Sequence, residues 1–167
     1  MKKKKIAFIT GITGMVGSHL ADYIIQNTDW IIFGLIRWRS PLDNISHLLN
    51  RVNNKDRVNL VYGDLNDQIS LLKVLDESKP DYVFHLAAQS YPKTSFESPL
   101  DTYNTNIIGT ARLLEAFRQL DQDPWIHVCA SSEVFGRVPE EKLPINEECS
   151  FHPASPYAIS KVGTDLI

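Results

Sequence analysis

Short unbroken apolar runs alternate along this chain with longer stretches in which apolar residues recur every three or four positions. The runs Lys5–Thr10, Ile31–Ile36, Val58–Tyr62, Tyr82–Ala87 and Ile126–Ala130 predict five strands buried on both faces, as in a parallel sheet. The stretches between them predict helices. The first covers Gly14–Asn27, with Val16, Leu20, Tyr23 and Ile24 as its apolar residues. The next covers Asp67–Ser78, with Ile69, Leu72 and Leu75 on one side, and a longer one covers Pro99–Leu120. Ser98 is placed to cap that long helix, with Pro99 at its first position and Asp101 reaching back. Ser40-Pro41-Leu42-Asp43 repeats the signature after the second strand, and Ser155-Pro156 opens a last helix still running at Ile167. Alternation of this kind predicts an α/β fold, a Rossmann-type doubly wound parallel sheet with right-handed crossovers. The long stretch from Glu133 to Ala154, rich in proline and acidic residues, predicts a loop that shapes a binding site.

Composition narrows the class. Of the 167 residues, 43% are hydrophobic and 22% charged, which suits one globular domain and excludes a disordered or fibrous chain. A net charge of -3 gives no electrostatic reason to expect nucleic acid. Lys2 to Lys5 read as a solvated start to the first strand. The apolar run behind them, Ile6 to Ile9, is too short for a signal peptide or a membrane span, so no membrane association is expected. Cys129 and Cys149 form no CxxC pair, which points to a reducing, cytoplasmic setting. The histidines at 19, 47, 85, 127 and 152 lack metal-ligand spacing, and His85, in an apolar run, reads as a satisfied core residue.

Gly11-Ile12-Thr13-Gly14-Met15-Val16-Gly17 joins the first strand to the first helix. Glycines there permit a tight turn, let backbone approach a pyrophosphate, and let helix pack closely on strand. The helix N-terminus adds N–H groups and a positive dipole end. This context predicts dinucleotide binding. The second strand ends in Arg37-Trp38-Arg39-Ser40 with no carboxylate before Asp43, and guanidinium groups suit a 2′-phosphate, so NADP is the expected cofactor. Asp64, before Leu65 at the end of the third strand, could accept from an adenine amino group. The small residues in Leu86-Ala87-Ala88-Gln89-Ser90, ending the fourth strand, allow close approach to the cofactor.

Tyr157 and Lys161 lie four apart on the last predicted helix and so share a face. A neighbouring ammonium favours the phenolate that a general base requires. Ser131, just after the fifth strand, could bond the same substrate hydroxyl, and Glu133 puts a second carboxylate base two residues away. A 4,6-dehydration needs such a second base, to remove the C5 proton after oxidation at C4.

Together these residues resemble the extended short-chain dehydrogenase/reductase family over the whole chain. The matches are Ile9-Thr10-Gly11-Ile12-Thr13-Gly14, Arg37-Trp38-Arg39-Ser40, Tyr62-Gly63-Asp64-Leu65, Leu86-Ala87-Ala88-Gln89-Ser90 and Ser131-Ser132-Glu133. The resemblance is strongest to the family's nucleotide-sugar 4,6-dehydratases. It implies NADP held by these loops, GDP-mannose as substrate, Glu133 and Tyr157 as two bases, and Lys161 as the tyrosine's helper and a ribose contact. Ser131 stands where those dehydratases usually carry threonine, Met15-Val16 where they carry Gln-Asp, and Asp101 where they carry tyrosine. The resemblance further implies a homo-oligomer, dimer or tetramer, when full length. On this reading residues 1–167 are the NADP-binding domain, incomplete at its C-terminus and without the substrate domain. A nucleotide-sugar reductase or epimerase, such as one acting on GDP-4-keto-6-deoxymannose, is the alternative, and a non-catalytic NADP-sensing module a third reading.

Overall fold

The computed structural model describes residues 3–167, so Lys2 of the basic start lies outside it. The strands are β1 (Ile6–Thr10), β2 (Ile31–Ile36), β3 (Val58–Tyr62), β4 (Tyr82–His85) and β5 (Trp125–Val128). They form one parallel sheet in the order β3-β2-β1-β4-β5. The reversal of direction on either side of β1 is the doubly wound arrangement that the alternation predicts. The helices are α1 (Met15–Asn27), α2 (Leu49–Asn53), α3 (Gln68–Ser78), α4 (Pro92–Glu97), α5 (Pro99–Tyr103), α6 (Gly109–Gln119) and α7 (Pro156–Leu166). None of them is long and apolar enough to cross a membrane.

The chain divides into two compact units. One holds the residues up to Ala87 together with Arg112–Cys129, the other Ala88–Ala111 and Ala130–Ile167. The first contains the whole sheet. On one face Phe8, Leu35, Val61 and Val83 pack against Leu71, Val74 and Leu75 of α3 and Leu113, Ala116 and Phe117 of α6. On the other, Ala7, Ile9, Ile32 and Val58 pack against Ala21 and Ile24 of α1 and against Ile45 and Leu48. Gly34 of β2 belongs to this second face, where an added Cβ would meet Ile12 Cδ1 at 2.4 Å. Along β4 and β5 the same face carries a row of ring contacts: Trp30 stacks on Tyr82 at 4.5 Å, and Trp125 meets Tyr82, Phe84 and His127. Asp81 ties the start of β4 to β1, its carboxylate accepting from Ile6 N–H at 2.8 Å and pairing with Lys5 at 3.1 Å.

Several local expectations are corrected. In α1 the buried residues are Gly17, Ser18, Ala21 and Ile24, whereas Val16 and Tyr23 are exposed. Ile24 does face the core as expected, and the buried positions beside it are small residues. In α3 Ile69 is 78% exposed, and Leu71, Val74 and Leu75 form the buried stripe. Ser40 caps no helix: a 3-10 helix over Asp43–Leu48 starts from Leu42 without a side-chain bond. Ser98 and Asp101 build no capping box either, since Ser98 makes no side-chain capping bond at α5. The long helix is interrupted by a π-helical turn over Asn104–Ile108, where Gly109 N–H reaches back five residues to the Asn104 carbonyl. Ser155 does cap α7, accepting from Ala158 N–H at 2.9 Å with Pro156 at the first helical position.

In the second unit α7 packs on α4, α5 and the π turn. Contact is close at Gly163, where an added Cβ would meet Ile107 Cδ1 at 2.8 Å. The segment predicted as a loop from Glu133 to Ala154 contains 3-10 turns over Ser132–Phe135 and Glu140–Lys142.

Candidate active site

The first unit holds the glycine loop. Gly11 has φ +74°, and a Cβ there would lie 2.9 Å from Ala87 N, so the turn closes directly on the backbone after β4. Gly14 N–H bonds the Gly11 carbonyl at 2.9 Å and heads α1 without any side-chain cap. A Cβ on Gly17 would come within 2.3 Å of Gly11 O, so the first turn of α1 lies on the loop itself. Met15 and Val16 are 71% and 55% exposed, and no side chain caps the helix N-terminus. Thr13 is half-buried, and its carbonyl accepts from Asn44 Nδ2 at 2.9 Å.

At the end of β2, Arg37 N–H donates to Ser40 Oγ and Ser40 N–H to the Arg37 carbonyl, both at 3.0 Å. This closed turn projects Arg37 and Arg39 into solvent. It also carries Trp38 outward, its ring 5.9 Å from that of Tyr62. Asp64 spends one carboxylate oxygen on Asn66 N–H at 2.9 Å, and the Leu65 side chain serves the core. Leu86 and Ala87 both donate their N–H groups to Thr10 Oγ1, at 3.1 and 3.0 Å.

The second unit holds the remaining predicted residues. Ser131 Oγ accepts from Glu133 N–H at 3.3 Å and so opens the short 3-10 turn that carries Glu133. The Glu133 carboxylate is exposed and accepts from Ser155 Oγ at 3.5 Å. Since Ser155 is the cap of α7, Glu133 is tied to the first turn of the helix that bears Tyr157 and Lys161. Both of those side chains are buried, at 8% and 6% exposure, with Lys161 Nζ 6.0 Å from the centre of the Tyr157 ring. A cavity of about 580 Å³ opens beside Ser131 and Ser132, walled by Phe135 and Phe151. Ala88 is half-buried and Ser90 exposed, while the Gln89 side chain bonds Thr102 Oγ1 and the Tyr91 backbone.

Two anchors here are absent from the sequence reading. Asn106, 2% exposed in the π turn, accepts from Gln89 N–H at 2.8 Å and donates to the Gln89 carbonyl at 3.0 Å and to Ser160 Oγ at 2.8 Å. Ser160 in turn donates to the Tyr157 carbonyl at 2.6 Å. Ser95 Oγ accepts from Tyr157 N–H at 3.0 Å, fixing the same residue from α4. The available signal for Asn106 was Asn104-Thr105-Asn106, a run of poor helix formers inside a helical pattern.

Comparison with known proteins follows this geometry. A family model described as GDP-mannose 4,6 dehydratase matches residues 8–167. The chain is similar to the GDP-mannose 4,6-dehydratase of Vibrio cholerae serotype O1, 41% identical over 165 residues that cover 95% of this chain and 43% of that protein. It spans less than half the length of the curated relatives it matches. Among solved structures it resembles UDP-glucose 4-epimerase with UDP-glucose from Thermotoga maritima, with a TM-score of 0.81 and 27% identity over 96% of this chain and 49% of that one. It also resembles RMD from Pseudomonas aeruginosa complexed with NADPH, with a TM-score of 0.75 and 30% identity over 98% of this chain and 46% of that one.

Proposed function

We propose a reaction from one premise: this chain belongs to the GDP-mannose 4,6-dehydratase family. The intact protein converts GDP-mannose to GDP-4-keto-6-deoxymannose, with NADP as resident cofactor. The glycine loop fits a dinucleotide, because Gly11 and Gly17 leave bare backbone where a Cβ would clash and α1 presents an uncapped N-terminus to a pyrophosphate. Arg37 and Arg39, exposed at the end of β2, support NADP over NAD, as does the likeness to an NADPH-bound structure. The bound nicotinamide supplies the hydride acceptor and donor.

The chain's own residues move the protons. Tyr157 takes the proton of the C4 hydroxyl, and the Lys161 ammonium beside its ring offsets the charge on the phenolic oxygen. Ser131 orients that hydroxyl. Glu133 removes the C5 proton and returns one to the departing C6 hydroxyl. The observation that carries this reading is the Ser155 bridge, which couples the Glu133 carboxylate to the capped end of the helix bearing Tyr157 and Lys161. A plain alcohol dehydrogenation has no use for a second base held there.

The full-length protein, incubated with GDP-mannose and catalytic NADP+ in deuterated water, is expected to give a 4-keto-6-deoxy sugar without net NADPH, followed by NMR. Glu133→Gln should slow product formation and C5 exchange by about a hundredfold or more. Survival of GDP-mannose, with GDP-4-keto-6-deoxymannose and NADPH consumed instead, would make the protein a reductase.

A further inference from the structure

His85 is a buried titratable group that the proposed chemistry leaves unused. It ends β4 at 4% exposure, and its Nδ1 lies 2.8 Å from Thr10 Oγ1, on the last residue of β1. Thr10, with no exposed surface, accepts from Ala87 N–H at 3.0 Å and from Leu86 N–H at 3.1 Å, the latter shared with the Thr10 carbonyl at 3.3 Å. A hydroxyl has two lone pairs and one hydrogen. Both lone pairs face the backbone after β4, so the hydrogen is what remains for His85. The ring nitrogen nearest Thr10 must then accept, which leaves the ring proton on Nε2.

This bond has a consequence for the glycine loop. Ala87 N and Cα are the atoms that a Cβ on Gly11 would strike, at 2.9 and 3.0 Å. The Leu86–Ala87 backbone is therefore held by the Thr10 hydroxyl on one side and closed on by the cradle on the other. If the hydroxyl turned its hydrogen toward that backbone, it would set donor against donor and push the two loops apart.

We propose that His85, as a neutral imidazole protonated at Nε2, is a positioning residue of the nicotinamide-cofactor site. It orients the Thr10 hydroxyl so that the segment after β4 stays docked on the glycine loop. The proposal rests on the reading of that loop as the cofactor cradle.

Nitrogen-15 NMR of the histidine rings and NADPH titrations followed by fluorescence test it on this same chain. The expected result is a pyrrole-type Nε2 and a pyridine-type Nδ1 at His85, with His85→Leu weakening NADPH binding about tenfold, the loss of one buried hydrogen bond. His85→Asn, whose side-chain oxygen can accept at the position of Nδ1, should restore affinity to within about threefold of the wild type, because it renews that one bond. A role in core packing alone would not make the Asn variant the tighter binder, since leucine fills a buried site better. Binding by the wild type with a proton on Nδ1, or with both variants equal in affinity, overturns the positioning role and leaves the cofactor reading standing. A folded wild type that binds neither NADPH nor NADH defeats the cofactor reading and the positioning role with it. The tautomer is read on the unaltered chain, so a variant that fails to fold does not remove the test.

Discussion

At Gly17 one methyl group is enough to measure how tightly the loop is closed. Its Cβ would stand 2.3 Å from Gly11 O and 2.7 Å from Ile12 Cα, both backbone atoms that no side-chain rotation can clear. Gly17→Ala is expected to cost about 1–3 kcal/mol in urea denaturation, the usual range for overpacking. On the proposed reading of this turn as the phosphate cradle, NADPH binding should fall with it, because the turn must move. This residue was legible in the sequence, since glycine spacing after a strand reports a backbone constraint and needs no distant partner. The places of Tyr157, Lys161, Ser131 and Glu133 in the fold were legible for a similar reason, each lying at a fixed offset from an element boundary. Asn106 was not. Its partners are the backbone of Gln89, 17 residues earlier, and Ser160, 54 residues later. Nothing in a local pattern records a bond of that reach.

Strand β4 is fastened at its entry by Asp81, and that fastening depends on pH. Burial alone would raise the pKa of this carboxyl, but the Ile6 N–H and the Lys5 ammonium outweigh it and hold it below its ordinary value of 3.8. A depressed folded-state pKa contributes stability that is present above 3.8 and is lost as pH falls through the folded value. Asp81→Asn should lower stability by about 1 kcal/mol at neutral pH. That difference should shrink as pH drops below 3.8, as matched urea titrations of the two proteins would show. The strands were legible as elements to within two residues because continuous apolar runs suit a sheet covered on both faces. The helix faces were harder to read. In α1 Ile24 and Leu20 lie on the core side as their spacing indicates, but the other sheet-facing positions are Gly17 and Ala21, while Val16 and Tyr23 are 55% and 63% exposed. The π turn is marked only by the poor helix formers Asn104-Thr105-Asn106, since Asn104–Ile108 otherwise keeps its place in a helical pattern while one extra residue enters the turn.

For the molecule as a whole, the sheet depends on residues far along the chain. Leu113 and Ala116 of α6 have no exposed surface and pack with Phe8 and Val83, and β5 pairs with β4. A chain ending at Ala111 is therefore expected to show no cooperative urea transition by circular dichroism, although it retains four of the five strands. The doubly wound order was readable from the alternation of runs. The division into two units was not, because neither unit is a continuous stretch of sequence. The chain leaves the first unit after Ala87, returns inside α6 and leaves again after Cys129. A single genetic crossover can move the whole of one unit only together with part of the other. Neither unit can therefore be exchanged by itself in one recombination event, and the change that leaves both intact is substitution within the interleaved segments.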